Sequence, residues 1–182
     1  TGLPVYSLYG KNKRPTPAQL KDLDAVLVDL QDIGARSYTF ISWMRYTMEA
    51  CFEHKVEVII LDRPNPLGGL KVDGPPLDPE WMSDVGAFRV PYIHGLTMGE
   101  LARWFVQSCK LDVECQVVPM SGWDPGAAPG YGWPLGERAW VNPSPNAPNL
   151  SMARCYAGTV MLEGTTLSEG RGTTRPLELF GA

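Results

Sequence analysis

The sequence lacks the marks of several large classes of protein. It has no apolar run near the roughly 20 residues that a membrane-spanning helix needs, and its net charge of −4 gives no basic footprint for nucleic acid. It contains no Walker-type Gly-Lys-Ser/Thr sequence for a nucleotide phosphate. These absences argue against a membrane span, a nucleic-acid partner and a nucleotide cofactor.

Cysteine and histidine are also scarce. The chain has four cysteines and two histidines, and none of the cysteines forms a C-x-x-C pair. A structural zinc site is therefore not predicted. Cys51 falls on an apolar helical face and Cys115 in an apolar strand, so free buried thiols are predicted rather than disulfides.

Two apolar runs and the amphipathic stretch between them predict a βαβ unit. Residues 24–32 and 56–62 are short apolar runs that end in acids, which is typical of buried parallel strands. Residues 37–54 place apolar side chains at helical spacing. A crossover of this kind is right-handed in nearly all proteins.

A second helix and strand follow. Thr97 and Glu100 have the spacing of a capping box, which predicts a helix from about Met98 to Ser108. Residues 114–120 predict another strand. The expected fold class is therefore α/β, with a Rossmann-like, mostly parallel sheet flanked by helices.

The composition changes in the second half of the chain, which becomes rich in glycine, proline and aromatic residues. Residues 142–149 carry three prolines, which favour extended backbone. We predict that residues 1–120 are part of the Rossmann-like domain and that residues 121–182 begin a smaller α+β C-terminal lobe. A buried strand is predicted at 159–163, and another strand at 3–10.

Polar side chains collect where the predicted strands end. In open α/β sheets, ligands bind outside the carboxyl ends of the strands, and the helices that follow begin at the same edge. Each such residue also has a structural interpretation, as a helix cap, a turn residue or a hydrogen-bonded histidine. As a group, acids beside apolar strands can have their pKa values separated, as acid–base catalysis requires. The predicted rim comprises Asp29, Asp32, Arg36, Ser37, Asp62, Asn65, His94 and Glu163.

The segment SEGRGTTRP, residues 168–176, is the densest polar stretch of the chain. Its glycines suggest a phosphate loop, but no Walker lysine follows and Pro176 opposes a helix running on from it. Two interpretations stay open. The segment is either a turn with glycines at positive φ, or a ligand loop that aims Glu163, Glu169 and Arg171 into a cleft.

Five motifs occur in an order that resembles a known family. They are VDLQDIGARSYTFI, LDRPNPLGG, HGLTMGELA, NPSPNAPN and LEGTTLSEGRGTTRP. This order resembles a bacterial family, long known only as a domain of unknown function, that includes the NamZ-type exo-β-N-acetylmuramidases. These glycoside hydrolases remove terminal N-acetylmuramic acid from peptidoglycan fragments. The resemblance implies a cleft between a Rossmann-like domain and a smaller lobe, no metal or nucleotide, and a protein of the bacterial cell envelope or a secreted one.

The resemblance also implies that this chain is the middle of a longer protein. The sequence begins without Met, and the family has an upstream Gly-Pro-Glu-His-Gly type motif whose Glu is a catalytic candidate. The family also continues beyond residue 182. We therefore do not expect this portion alone to be fully active. Rival interpretations are a non-catalytic peptidoglycan-binding protein and, disfavoured by the missing phosphate motifs, an enzyme of phosphorylated sugars or nucleotides.

Glycosidase chemistry assigns expected roles to the predicted residues. Such enzymes place two carboxyl groups across the scissile bond, and one of them must be protonated, which an apolar setting achieves. The expected catalytic carboxyl is Asp32 or Asp62, paired with the upstream Glu, and Glu163 and Glu169 are alternatives.

Substrate contacts are expected from guanidinium, amide and aromatic groups. The candidates to hold the lactyl carboxylate of muramic acid by bidentate hydrogen bonds are Arg36, Arg63 and Arg171. Polar contacts to the rest of the sugar are expected from Asp29, Asn65, His94 and Asn146. Candidates for stacking on the sugar, or for packing within the lobe, are Trp123, Tyr131, Trp133 and Trp140.

Overall fold

The computed structural model describes residues 2–126 and 139–182. In chain order, its helices and strands are α1 (Pro17–Leu20), β1 (Ala25–Val28), α2 (Phe40–His54), β2 (Glu57–Leu61), β3 (Asp73–Pro76), β4 (Pro91–Ile93), α3 (Met98–Ser108), β5 (Cys115–Val118) and α4 (Leu150–Thr159). Short 3₁₀ turns cover Pro79–Trp81 and Val160–Gly164. The predicted stacking residues Tyr131 and Trp133 lie outside the described residues.

The central sheet is parallel, with strand order β1-β2-β5. Val26 pairs with Val58, and Val58 in turn pairs with Cys115. Helix α2 connects β1 to β2, and α3 lies between β2 and β5 in the sequence. The predicted α/β class, with helices flanking a parallel sheet, is confirmed. Strands β3 and β4 form a separate antiparallel pair.

The main core lies between the sheet and helices α2 and α3. Val58 and Ile60 of β2 are fully buried there, together with Met44 and Leu101 from the two helices. Burying one side chain of this size contributes about 1.5–3 kcal/mol. The opposite face of the sheet is more open among the described residues, since Leu27 is 61% exposed.

Helix α3 begins as its capping box predicts. Glu100 N–H donates to Thr97 Oγ1 at 3.2 Å, and Thr97 N–H donates to Glu100 Oε2 at 2.8 Å. These two bonds satisfy backbone donors that a helix N-terminus otherwise leaves free. The capping box thereby fixes where the chain turns from the strand-end loops into the helix.

The strand predicted at 159–163 is wrong. Helix α4 runs to Thr159 and continues as the 3₁₀ turn Val160–Gly164. Asn149 caps this helix, because its Oδ1 accepts the Met152 N–H at 2.7 Å. The buried residues Met152, Tyr156 and Val160 recur every four residues. This spacing is helical, and it determines the structure here despite the short β-branched run that suggested a strand.

The strand predicted at 3–10 is also wrong. The segment has no regular secondary structure, and Val5 is 93% exposed. Its alternating apolar residues suggested a strand, but Pro4 lacks the N–H that a ladder needs. Apolar pattern alone does not supply a pairing partner.

The cysteines are free, as predicted, but they are not uniformly buried. Cys51 is buried, Cys109 is exposed, and Cys115 and Cys155 lie between these extremes. Burial raises the pKa of the Cys51 thiol to about 11. Cys51 thus behaves as a core side chain rather than a reactive thiol.

The second half of the chain packs onto the first through a smaller core. Ile33, Ala35 and Ile93 form the near side of this core. The residues that pack against them from the second half include Ala147, Met152, Ala153, Tyr156, Val160 and Leu177. This contact brings α4 and the SEGRGTTRP segment toward the loop that precedes α2.

Candidate functional site

The carboxyl edge of the sheet collects charged residues, as the strand pattern predicts. Arg63 Nε donates to Asp29 Oδ1 at 2.6 Å, which links the ends of β1 and β2. This hydrogen bond holds the pKa of Asp29 below its ordinary value. The two side chains are directed at each other, and neither belongs to the pocket described below.

Asp62 is committed to the N-terminus of α3. Its Oδ1 accepts the Gly99 N–H at 2.8 Å and the Arg63 N–H at 3.0 Å, and its Oδ2 accepts the Thr97 hydroxyl at 2.8 Å. A carboxylate at this position also complements the helix dipole. These contacts give Asp62 a structural role, and the catalytic role predicted for it stays a prediction.

Replacing Asp62 by Asn tests the structural role of this side chain. We expect the free energy of unfolding to fall by about 1–3 kcal/mol, because the amide nitrogen of Asn would face a group that now donates a hydrogen bond to the carboxylate. Urea unfolding measures this loss. Asp29→Asn is the control, since its partly exposed ion pair should contribute less than about 1 kcal/mol. Full stability of Asp62→Asn with lost turnover would support the catalytic interpretation.

Asn65 joins three loops of the rim. Its Nδ2 donates to Leu96 O at 2.9 Å, and its Oδ1 accepts the Leu67 N–H at 2.9 Å. Gly34, with φ +85°, lies so close that a Cβ there would stand 2.2 Å from Asn65 Oδ1. Asn65 is buried and held by these contacts, and its predicted role in sugar binding stays a prediction.

Arg36 clamps the β3–β4 region. Its Nη1 donates to Pro75 O at 2.8 Å and to Val90 O at 2.7 Å, and its guanidinium lies 5.7 Å from the centroid of the Tyr92 ring. Partial burial lowers the pKa of this arginine, and the proximity of Tyr92 opposes that effect. Arg36 therefore joins these segments through Nη1, and the predicted lactyl contact stays a prediction.

Asp32 and His94 form a buried pair. They are 6% and 3% exposed, and His94 Nε2 lies 3.8 Å from Asp32 Oδ2. Asp32 Oδ2 accepts the Gly34 N–H at 2.7 Å, while His94 Nδ1 accepts the Leu96 N–H at 3.1 Å. Because Nδ1 accepts, the proton of a neutral His94 lies on Nε2, facing Asp32.

Burial moves the two pKa values of this pair in opposite directions. It raises the pKa of Asp32 to about 7, although backbone N–H groups of Gly34 and Ile33 oppose the shift. It lowers the pKa of His94 to about 4. Asp32 Oδ1 and His94 Nε2 have no hydrogen-bond partner among the described residues. The pair is therefore a protonated acid beside a neutral imidazole at mildly acidic pH.

A pocket of about 260 Å³ lies where the two halves of the chain meet. We call it the junction pocket. One part of its lining comes from the first half of the chain and another from the second. The lining residues are Tyr9, Ser37, Tyr38, Thr39, Phe40, Val85, Ser144, Asn146, Ala147, Met152, Tyr156, Glu163, Arg171 and Leu177. It thus brings together the predicted residues Asn146, Glu163 and Arg171.

Arg171 is held in the junction pocket by two acids. Its Nε lies 2.9 Å from Glu163 Oε1 and 2.7 Å from Glu169 Oε1, and its Nη2 also contacts Glu163. Glu169 is 8% exposed, so the charge that anchors the arginine is buried. The SEGRGTTRP segment, with Gly170 and Gly172 at positive φ, is therefore both a turn and a pocket wall.

A chain of three hydroxyls extends the polar lining. Ser37 Oγ lies 3.0 Å from the Tyr92 hydroxyl and 3.5 Å from the Tyr156 hydroxyl. These two contacts use two of the three O–H protons, so within residues 2–126 and 139–182 a third proton is left to donate to another acceptor. Burial raises the pKa of Tyr156 to about 12, and the phenol stays a donor at ordinary pH. No motif in the sequence pointed to Tyr92 or Tyr156, which are far apart in the chain.

The described tryptophans predicted to stack on a sugar are not in the junction pocket. Trp140 joins the smaller core and donates its Nε1–H to Ala147 O at 2.8 Å, while Trp123 is half-buried elsewhere. For Trp140, the packing interpretation is the one that its contacts support. The aromatic side chains of the pocket lining come from the first half of the chain and from α4.

The described residues also line other cavities. A larger cavity of about 680 Å³ lies beside residues 11–17, but Lys13 and Arg14 there are paired with Asp84 and Glu53. Within residues 2–126 and 139–182, no group of three or more His, Cys, Asp or Glu side chains is arranged to hold a metal ion. None of the helices in those same ranges is long and apolar enough to cross a membrane.

Comparisons with known proteins agree with the motifs. The family model described as the N-terminal part of exo-β-N-acetylmuramidase NamZ matches residues 1–151, and the model of its C-terminal part matches residues 154–182. The peptidoglycan β-N-acetylmuramidase NamZ of Bacillus subtilis (strain 168) is 46% identical over 188 aligned positions. That alignment covers 100% of this chain and 43% of the relative.

Solved structures show the same relationship. A crystal structure of a DUF1343 family protein from Bacteroides fragilis matches with a TM-score of 0.88 at 42% identity, covering 100% of this chain and 47% of that one. A second such protein from the same organism matches with a TM-score of 0.81 at 37% identity, covering 92% and 46%. This chain thus spans less than half the length of these relatives, and it belongs to the NamZ family of exo-β-N-acetylmuramidases.

Proposed function

We propose that the whole protein is an exo-acting glycoside hydrolase that removes terminal N-acetylmuramic acid from peptidoglycan fragments. The observation that carries the proposal is the 46% identity, along the entire chain, to a relative named as a peptidoglycan β-N-acetylmuramidase. The junction pocket supports it, since it combines carboxylate, guanidinium, hydroxyl and aromatic groups. Because the polymer lies outside the cytoplasm, we place the protein in the cell envelope or outside the cell.

Asp32 is the acid–base residue that we propose from this portion of the protein, and it lies outside the lining of the junction pocket and is 6% exposed. A pKa raised to about 7 by burial keeps the carboxyl protonated in mildly acidic and near-neutral solution, as a general acid for the leaving oxygen must be. Its partner across the bond would be the Glu of the upstream family motif. Glu163 and Glu169 are the alternative carboxyl groups, although each contacts Arg171.

Arg171 is the residue that we propose to hold the lactyl carboxylate. Its contacts with Glu163 and Glu169 use Nε and Nη2, so Nη1 is left for a ligand. With both acids ionised the cluster carries a net charge of −1. A bound carboxylate is therefore favourable only where it meets the N–H groups of the guanidinium directly.

Substituting Arg171 tests this assignment in the whole protein. We expect Arg171→Ala to lower kcat/KM for a chromogenic N-acetylmuramide by about 10- to 100-fold, which corresponds to losing a hydrogen bond to a charged group. The N-acetylglucosaminide, which has no lactyl group, should be affected much less. Arg171→Lys keeps the charge but loses the planar fork, and is expected to recover only part of the loss. An equal loss on both sugars would make Arg171 structural.

A binding protein without hydrolysis is the second candidate function. It would keep the junction pocket and bind muropeptides but release no sugar. Incubating the whole protein with a peptidoglycan disaccharide and following free N-acetylmuramic acid by mass spectrometry separates the two. Release supports the hydrolase, while saturable binding without release supports the binding protein.

A further inference from the structure

Tyr9 presents an exposed aromatic ring at the junction pocket. Its side chain is 74% exposed, yet it lines the same pocket as Asn146, Glu163 and Arg171. A single exposed aromatic residue is ordinary on a protein surface. The ring lines the pocket that holds Asn146, Glu163 and Arg171, and it also lines a second cavity of about 550 Å³ together with Trp43.

The ring is supported from behind by a buried neighbour. The Tyr9 and Trp43 ring centroids are 5.2 Å apart, with the planes tilted by 43°. Trp43 is 9% exposed and is fixed on α2, where its Nε1–H donates to Thr39 Oγ1 at 3.1 Å. The Tyr9 N–H donates to Ser7 Oγ at 3.2 Å. Trp43 thus backs the ring, and most of its surface is open.

The surroundings of Tyr9 match a pyranose ring better than a cation. A pyranose carries apolar C–H faces and a rim of hydroxyls, and the electron-rich face of an aromatic ring attracts such C–H groups. Tyr38 and Phe40 add aromatic surface to the lining, and Glu163 and Arg171 add polar groups. Among the described lining residues, the one acid, Glu163, is already paired with Arg171.

We propose that Tyr9 is the stacking platform for the pyranose ring of the sugar that occupies the junction pocket. This inference rests on the proposed function, and it adds a residue that the sequence motifs did not point to. Tyr9 reaches the pocket from a segment without secondary structure, and stacking of its ring face on a sugar affects substrate binding rather than the reacting atoms.

The test compares three variants of the whole protein. Tyr9→Ala should raise both the Kd for N-acetylmuramic acid, measured by calorimetry, and the KM for a chromogenic N-acetylmuramide by about tenfold. Tyr9→Phe keeps the ring face and should stay near wild type. Tyr6→Ala is the matched control, because Tyr6 belongs to the same segment, is 60% exposed and does not line the junction pocket.

Each other outcome overturns the platform in a recognisable way. An unchanged Kd in Tyr9→Ala would exclude the stacking role of Tyr9. An equal loss of affinity in Tyr9→Phe would indicate that the hydroxyl, and not the ring face, contacts the sugar. A lowered Tm with wild-type Kd would show that Tyr9 packs against another part of the protein. Failure of the proposed function looks different, since a wild type that binds the sugar but cleaves nothing leaves the Kd comparison intact.

Discussion

Asp32→Asn in the whole protein should lower turnover of a chromogenic N-acetylmuramide by about 10²–10⁴-fold, the usual contribution of general acid–base catalysis. Burial raises the pKa of Asp32 to about 7, so the carboxyl can donate a proton at mildly acidic pH, whereas an amide cannot act as an acid there. Wild-type kcat/KM should accordingly decline above about pH 7. The residual rate of the variant should lack that decline.

The folded state should tolerate this substitution better than the reaction does. The Asn oxygen can still accept the Gly34 N–H that Asp32 accepts now, and Asn resembles the protonated acid in shape. Circular dichroism and a melting curve establish whether the variant is folded. Near-normal turnover of folded Asp32→Asn would exclude the acid–base role and direct attention to Glu163→Gln and Glu169→Gln.

The local pattern of the sequence predicted most of the α/β fold. Apolar runs that end in acids marked β1 and β2, and the capping box placed the start of α3 at Met98. These signals are local, because a strand run or a helix cap is contained in a few neighbouring residues. The strand prediction for residues 159–163 was wrong because a short apolar run fits both a strand and the end of a helix. The deciding Asn149 cap lies ten residues earlier.

The sequence pattern indicated that polar residues gather at one edge of the sheet, but it did not indicate which atoms they contact. Strand-end geometry predicted that Asp29 and Asp62 share an edge, and Arg63, which follows Asp62, does contact Asp29. It could not show that Asp62 is used by the backbone of α3, or that Arg36 is used by carbonyl groups. Such contacts depend on how loops that are distant in the sequence are oriented, and the type of a residue does not determine that orientation.

Tyr9 is a residue near the pocket that the sequence pattern did not indicate. The sequence favoured aromatic residues of the second half as sugar contacts, because glycine, proline and tryptophan cluster there. Trp140 is instead engaged in the smaller core. Tyr9 belongs to a segment whose apolar pattern suggested a strand, yet it reaches the junction pocket. Where an irregular segment lies is decided by tertiary packing, for which the chain carries no periodic signal.

The effects of Asp32 and His94 on the pH dependence of the free energy of unfolding should cancel in the wild type. In the unfolded chain, between about pH 4 and 6.5, Asp32 is ionised and His94 is protonated, from their ordinary pKa values of 3.8 and 6.5. In the folded protein the pKa values are about 7 and about 4, so Asp32 is protonated and His94 neutral. Each state holds one proton on the pair, and linkage then gives no slope.

Removing either partner should expose opposite slopes in this window. In Asp32→Asn, only unfolded His94 binds a proton, so the free energy of unfolding should rise with pH up to about 6.5 relative to wild type. In His94→Asn, only folded Asp32 binds a proton, so the free energy of unfolding should fall as pH rises toward about 7. Each slope is about 1.4 kcal/mol per pH unit.

Urea unfolding of the wild type and both variants at pH 4.5, 5.5 and 6.5 measures these differences, and other titrating groups cancel in the comparison. Between pH 4.5 and 6.5 the two variants should diverge by several kcal/mol, on the order of two pH units of slope for each. Parallel curves would mean that Asp32 is ionised and His94 charged in the folded protein, as in an ion pair. That result would also remove the protonated acid on which the proposed role of Asp32 in catalysis depends.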